Sequence, residues 1–210
     1  MNTARRRHPG LNLRETSDTA AHERAAALLF GFWVFLMADL VIFALLFVTY
    51  AVMSRQGIAT GPSPHDFFEL RMPLAETAVL LVSSLTCGFT ALALKYDAQK
   101  YATMRWLSLT LALGVVFVAL EVMDFHTFIA KGAGPGVSGF LSAYFLLTGT
   151  HAVHVASGII WGLILLLQLQ VFGLVPVVQW RLMRLALFWH MLDVVWIGIF
   201  TVVYLQGRLA

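Results

Sequence analysis

Five ionisable side chains stand inside apolar runs where a carboxylate or imidazole could do chemistry. They are Asp39 in FWVFLMADLVIF, His151 and His154 in THAVHVASGIIWG, and His190 with Asp193 in LFWHMLDVVW. Two histidines three residues apart on a helix can bind a metal ion, and His151, His154, His190 and Asp193 together would make a set of four ligands. Hydrogen bonds between helices, or to lipid headgroups, explain the same residues with fewer assumptions, so no metal site is expected. At about 100° per residue on a helix, Trp189, His190, Asp193 and Trp196 fall within about a third of the circumference. Ionisable groups in a membrane-spanning segment are costly and normally face protein or an internal cavity. That face is therefore expected to turn inward.

The remaining acids read differently. Asp39 lies near the middle of its run, where a lone carboxylate costs several kcal/mol unless protonated or partnered. It is either an acid bonded permanently to a neighbouring helix or a proton-accessible carboxyl, and the first reading is preferred. Glu76, three residues after Pro73, suits a solvated acid in the first turn of a helix, favoured there by the helix dipole. The alternative is a polar groove or a lipid headgroup. Glu121 and Asp124 share a helix face, while His126 points elsewhere, so interfacial solvation or loop packing is preferred to a metal.

These residues need long apolar elements to carry them, and the chain supplies such elements. Of its 210 residues 60% are apolar and only 12% charged, with a mean hydropathy of +0.81. That excludes an ordinary soluble domain. Five runs, about 28–53, 74–94, 103–123, 140–169 and 184–205, each hold the ~20 residues a spanning helix requires. None alternates as a barrel strand would. The expected fold is an all-α, polytopic five-helix membrane bundle forming one domain, preceded by a polar, disordered tail over residues 1–27. The first run is too long for the core of a signal peptide.

Short loops such as GIATGPSPHDFFELRMP and KGAGPG leave no room for a soluble catalytic domain. The single cysteine, Cys87, excludes a disulfide, a CxxC pair and a haem-attachment CxxCH, and it is expected to be a small buried hydrophobe. The net charge of +3 is not a nucleic-acid signal, because the basic residues flank apolar runs. With the N-terminus inside, ten Lys and Arg fall in inner segments and four in outer ones. The chain is thus expected to have a cytoplasmic N-terminus and an outer C-terminus.

Four segments together resemble one known family: GFWVFLMADLVIFALLFVTYAV, LAETAVLLVSSLTCG, the stretch from Glu121 through GPGVSGFLSAYFLLTGTHAVHVASGIIW, and LFWHMLDVVWIGIFTVVYLQG. The resemblance is to subunit III of the haem–copper respiratory oxidases, most closely the five-helix subunit of cytochrome bo-type ubiquinol oxidases, and it covers about residues 28–207. It implies a non-catalytic accessory subunit in a bacterial inner-membrane complex that reduces dioxygen and pumps protons. Haem and copper would belong to subunit I, with subunit II and a small subunit IV as further partners and phospholipid held in a cleft. Asp39 falls where the family carries a buried carboxylate. Glu76, Glu121, His151, His154, Trp189, His190, Asp193 and Trp196 are the candidate lipid-cleft or interhelical contacts. Asp124 departs from the glutamate of close relatives, which puts one local contact in doubt.

Overall fold

The computed structural model describes residues 19–56, 71–96 and 99–206. Five helices make up the described chain: α1 Thr19–Gln56, α2 Arg71–Tyr96, α3 Lys100–Ala130, α4 Gly139–Phe172 and α5 Pro176–Ile199. A π-helical turn, Phe200–Leu205, continues α5. All five are long and apolar enough to cross a membrane, as expected for backbone that must satisfy its own hydrogen bonds in lipid. The first 18 residues of the expected tail and residues 57–70 of the loop between α1 and α2, expected to be an outer one, lie outside the described residues.

The helices exceed their apolar runs, and each extension has a local cause. α1 begins at Thr19 rather than Leu28, so the last part of the expected disordered tail is helical. Its sequence there, TAAHERAAA, is rich in strong helix formers. α3 runs on to Ala130 and stops at Gly132, whose φ of 78° no Cβ-bearing residue adopts easily. There Ala133 N–H donates to the Phe128 carbonyl and Gly132 N–H to that of Ile129, closing the end as a Schellman motif does. α4 starts where the Ser138 hydroxyl accepts from the Leu141 N–H, an N-cap. α5 begins with Pro176 in its first turn, where the missing N–H costs nothing. The charged Arg181 therefore sits inside α5 rather than before it, and Arg184 lies eight residues in rather than at its start. Arg181 donates to the Gln168 side chain at 2.7 Å, and Lys100 donates to the Gln170 carbonyl at 2.9 Å. One end of the bundle thus gathers the start of α3, the end of α4 and the start of α5.

The helices form three layers. α4 and α5 pack against each other in the middle, the α2–α3 pair covers one side, and α1 lies on the other against α4 and α5. Buried leucines and large aromatics fill the centre, including Tyr144, Phe117, Trp189, Trp196 and Tyr204. Outward faces are apolar along most of their length, with Phe30, Val41, Leu85, Val153 and Leu167 among the exposed residues. Those faces suit lipid or neighbouring protein.

Candidate functional site

The polar side chains of α5 meet those of α2 in a ladder. The Trp189 indole N–H donates to the Ser83 hydroxyl at 3.1 Å, which in turn donates to the Thr110 carbonyl of α3 at 3.2 Å. Seven residues on, the Trp196 indole donates to Thr77 at 3.1 Å. Thr77 itself donates to the Pro73 carbonyl at 2.7 Å. Both indoles are almost wholly buried, at 2% and 1% exposure. Thr86 and Thr110 add a hydroxyl pair at 2.8 Å. A buried hydroxyl or indole gains stability only when its N–H or O–H finds a partner, and here the partners lie on the adjoining helix.

The expected inward face is inward for three of its four members. Trp189, Trp196 and Asp193 are buried, but the His190 side chain is 45% exposed. Its Nδ1 lies 3.0 Å from the Ser84 hydroxyl and 3.5 Å from the Asp193 carboxylate. Both carboxylate oxygens of Asp193 are buried without a hydrogen bond in the described residues. His190 misses the interior because it directly follows Trp189. The turn that sends the indole towards Ser83 leaves the imidazole at the α2–α5 margin.

His151 and His154, one turn apart, separate in space. His151 is fully buried, and its Nε2–H donates to the Leu192 carbonyl of α5 at 3.2 Å. Its ring lies between Phe117 and Trp196, with centroids 5.6 and 5.2 Å away. His154 faces the other outer layer. Its Nδ1–H donates to the Thr150 carbonyl at 2.7 Å, and its Nε2 lies 3.2 Å from Asp39 Oδ1 on α1. Since Nδ1 already carries a proton, that second contact needs another. The pair is either imidazolium with carboxylate or imidazole with carboxylic acid, neutral overall in both forms. Asp39 thus has the interhelical partner that a mid-membrane acid requires.

Three histidines therefore serve three different partners, and their free nitrogens do not converge. Among the described residues no three His, Cys, Asp or Glu side chains approach closely enough to hold a metal ion. Among the described residues, His151, His154 and His190 do not form a ligand set for haem or copper.

Glu76 overturns the expectation of a solvated acid, and Glu121 overturns the interfacial-solvation half of its expectation. Both are fully buried, and none of their four carboxylate oxygens has a hydrogen-bond partner in the described residues. The expectation placed Glu121 at a helix end, whereas α3 continues nine residues beyond it to Ala130. Glu76, Glu121 and Asp124 lie within electrostatic reach of one another. Tyr144 donates to Asp124 at 3.2 Å and pairs with the Tyr204 hydroxyl at 2.8 Å. Tyr204 comes from the π-helical turn, which re-aims a side chain relative to a regular helix. His126 is exposed and outside this group. Sequence reasoning missed Thr77, Thr110, Tyr144 and Tyr204. A tyrosine or threonine in an apolar run is a weak signal, because a threonine can also bond its own helix, as Thr148 does.

The model of the family described as cytochrome c oxidase subunit III matches residues 13–208. The chain belongs to that family. It is accordingly a multi-pass membrane protein of the oxidase subunit III type. The chain is similar to the cytochrome bo(3) ubiquinol oxidase subunit 3 of Pseudomonas putida, at 47% identity over 90% of both chains. The Pseudomonas aeruginosa protein of the same name is 48% identical, again over 90% of each chain. A probable quinol oxidase subunit 3 from Staphylococcus aureus is 39% identical over 91% of this chain and 94% of its own.

Proposed function

We propose that the chain is a non-catalytic accessory subunit of a terminal ubiquinol oxidase that reduces dioxygen and pumps protons. The observation that carries this reading is 47–48% identity over nine-tenths of both chains to proteins named as ubiquinol oxidase subunit 3. The histidine geometry supports it from the other side. His151, His154 and His190 each bond within the bundle, which suits haem and copper being carried by subunit I of the complex. The partners in this reading are subunits I and II and a small subunit IV in a bacterial inner membrane. The N-terminus is cytoplasmic and the C-terminus outside, and the subunit supports assembly, bound phospholipid and sustained proton uptake, with Asp39 as a buried carboxyl bonded to His154.

Affinity purification of the tagged chain in mild detergent tests the proposal. Co-purification of b- and o-type haem with ubiquinol oxidase activity is the expected result. A chain that purifies alone from cells respiring through such an oxidase would sink it. The family description favours one second reading, a subunit of a cytochrome c oxidase. A co-purifying subunit II with a paired-cysteine copper site would select that reading.

A further inference from the structure

His190 presents an unusual need. It stands fourteen residues from Pro176 and fifteen from Leu205 in the last span, about 21 Å from either end at 1.5 Å per residue. It therefore lies well inside the span, six residues beyond Arg184. Its side chain is 45% exposed, and the described hydrogen bond and ion pair both use Nδ1, not Nε2. Acyl chains around it offer no polar atom.

Beside it, the outer face of α2 has the pattern of a helix-docking seam. Leu74, Ala78, Leu81, Leu85, Gly88 and Leu92 follow one another at alternating spacings of four and three, the repeat that lets one helix lie along another. All but the half-buried Gly88 are exposed. The seam spans nineteen residues, about 27 Å of helix, close to the full hydrocarbon thickness. Its middle is a shallow groove of about 470 Å³ lined by Leu81, Ser84, Leu85, Gly88, Phe89 and Leu92. Ser84, in the groove wall, is the residue that bonds His190. Seam and imidazole therefore form one continuous surface.

We propose that this surface docks a transmembrane helix of a neighbouring oxidase subunit, which supplies a polar side chain or exposed carbonyl to His190 Nε2 within the span. The inference rests on the multi-subunit reading above. A helix partner matches both the heptad spacing and the membrane-wide length, whereas a single acyl chain meets neither the length nor the hydrogen bond. A second copy of this chain is the competing occupant and is an outcome of the test.

The test uses the whole complex, purified in mild detergent. A photoreactive benzoylphenylalanine replaces Leu85, with Val153 on α4 as the control position. The Leu85 probe is expected to join covalently to another membrane subunit of the oxidase. In parallel, Gly88→Ile projects a branched side chain into the groove from a position where nothing lies within 4 Å of the added Cβ. Membrane levels of the Gly88→Ile chain should match the parent, while its recovery with the other subunits falls at least tenfold. His190→Leu should weaken that recovery and His190→Gln should restore much of it, which a purely steric role for the ring would not do. Adducts of the Leu85 probe with lipid, quinone or a second copy only, or full recovery of Gly88→Ile in the complex, would overturn the docking surface. If the parent chain itself recovers no other subunit, the multi-subunit reading fails first and the docking proposal falls with it.

Discussion

The outer ring of Trp189 stands against the backbone of Gly114. Its Cη2 is 2.7 Å and its Cζ2 2.9 Å from where a Cβ on that glycine would lie. On its other side the same indole is 3.3 Å from the corresponding position on Gly158. The indole of α5 is thus held between glycines of α3 and α4 and fixed at its N–H by Ser83 of α2. One side chain ties four helices together.

Gly114→Ala should therefore destabilise the bundle, even though alanine is the better helix former. The indole cannot withdraw without losing its bond to Ser83, and overpacking of this kind costs about 1–3 kcal/mol. Gly149→Ala, where nothing lies within 4 Å of the added Cβ, should instead stabilise by about 0.5–1 kcal/mol through helix propensity. Thermal unfolding followed by far-ultraviolet circular dichroism in one detergent compares the two. Equal shifts would mean that Trp189 is not clamped.

The bond from Trp196 to Thr77 joins α5 to α2 near the opposite end of the ladder. Thr77→Val and Trp196→Phe should each lower stability, and the double variant should lose less than the sum. A coupling of about 0.5–1.5 kcal/mol is expected for a buried hydrogen bond. The measurement is a double-mutant cycle on the same melts, and strict additivity would argue against the bond.

Asp39 and His154 hold α1 to α4 through the one ion-pair contact described between those helices. Asp39→Asn keeps a polar partner for the imidazole and should cost little. Asp39→Leu strands it, at about 1–3 kcal/mol, and should raise protease cleavage around α1. In the assembled oxidase, Asp39→Leu should leave the initial rate of quinol oxidation near that of the parent but shorten the time over which activity persists. Progress curves during continuous turnover read both quantities. Lost haem incorporation would instead place Asp39 in assembly of the redox centre.

Cys87 is buried at 4% exposure, and its thiol is free. Maleimide should leave it unlabelled in the folded chain and label it fully after denaturation. Fast labelling of the native protein would show that the α2 side of the bundle opens.

The five spans were legible in the sequence because a hydrocarbon solvent leaves the backbone one economical solution, a helix of about 20 apolar residues. Helix ends were less legible. Arg181 looked like loop because a charge rarely enters a span, yet its long side chain reaches Gln168 from within α5. Glu121 looked interfacial because an acid late in an apolar run normally marks its end, yet α3 continues to Ala130.

Periodicity alone placed Trp189, Asp193 and Trp196 on an inward face, since their angular separation is a property of one helix. It could not place His190, whose position at the α2–α5 margin depends on how α5 rotates against α2. Nor could spacing show that His151 and His154 look towards different helices, or that Tyr204 reaches Tyr144 through a π-helical turn. Those are relations between helices, set by which surfaces interlock. The sequence by itself determined the solvent, the number of spans and the family resemblance, because apolar length and local motif are written along one chain. Only the tertiary structure decided which polar side chain meets which partner, because each hydrogen bond depends on helix rotation and approach that no single segment encodes.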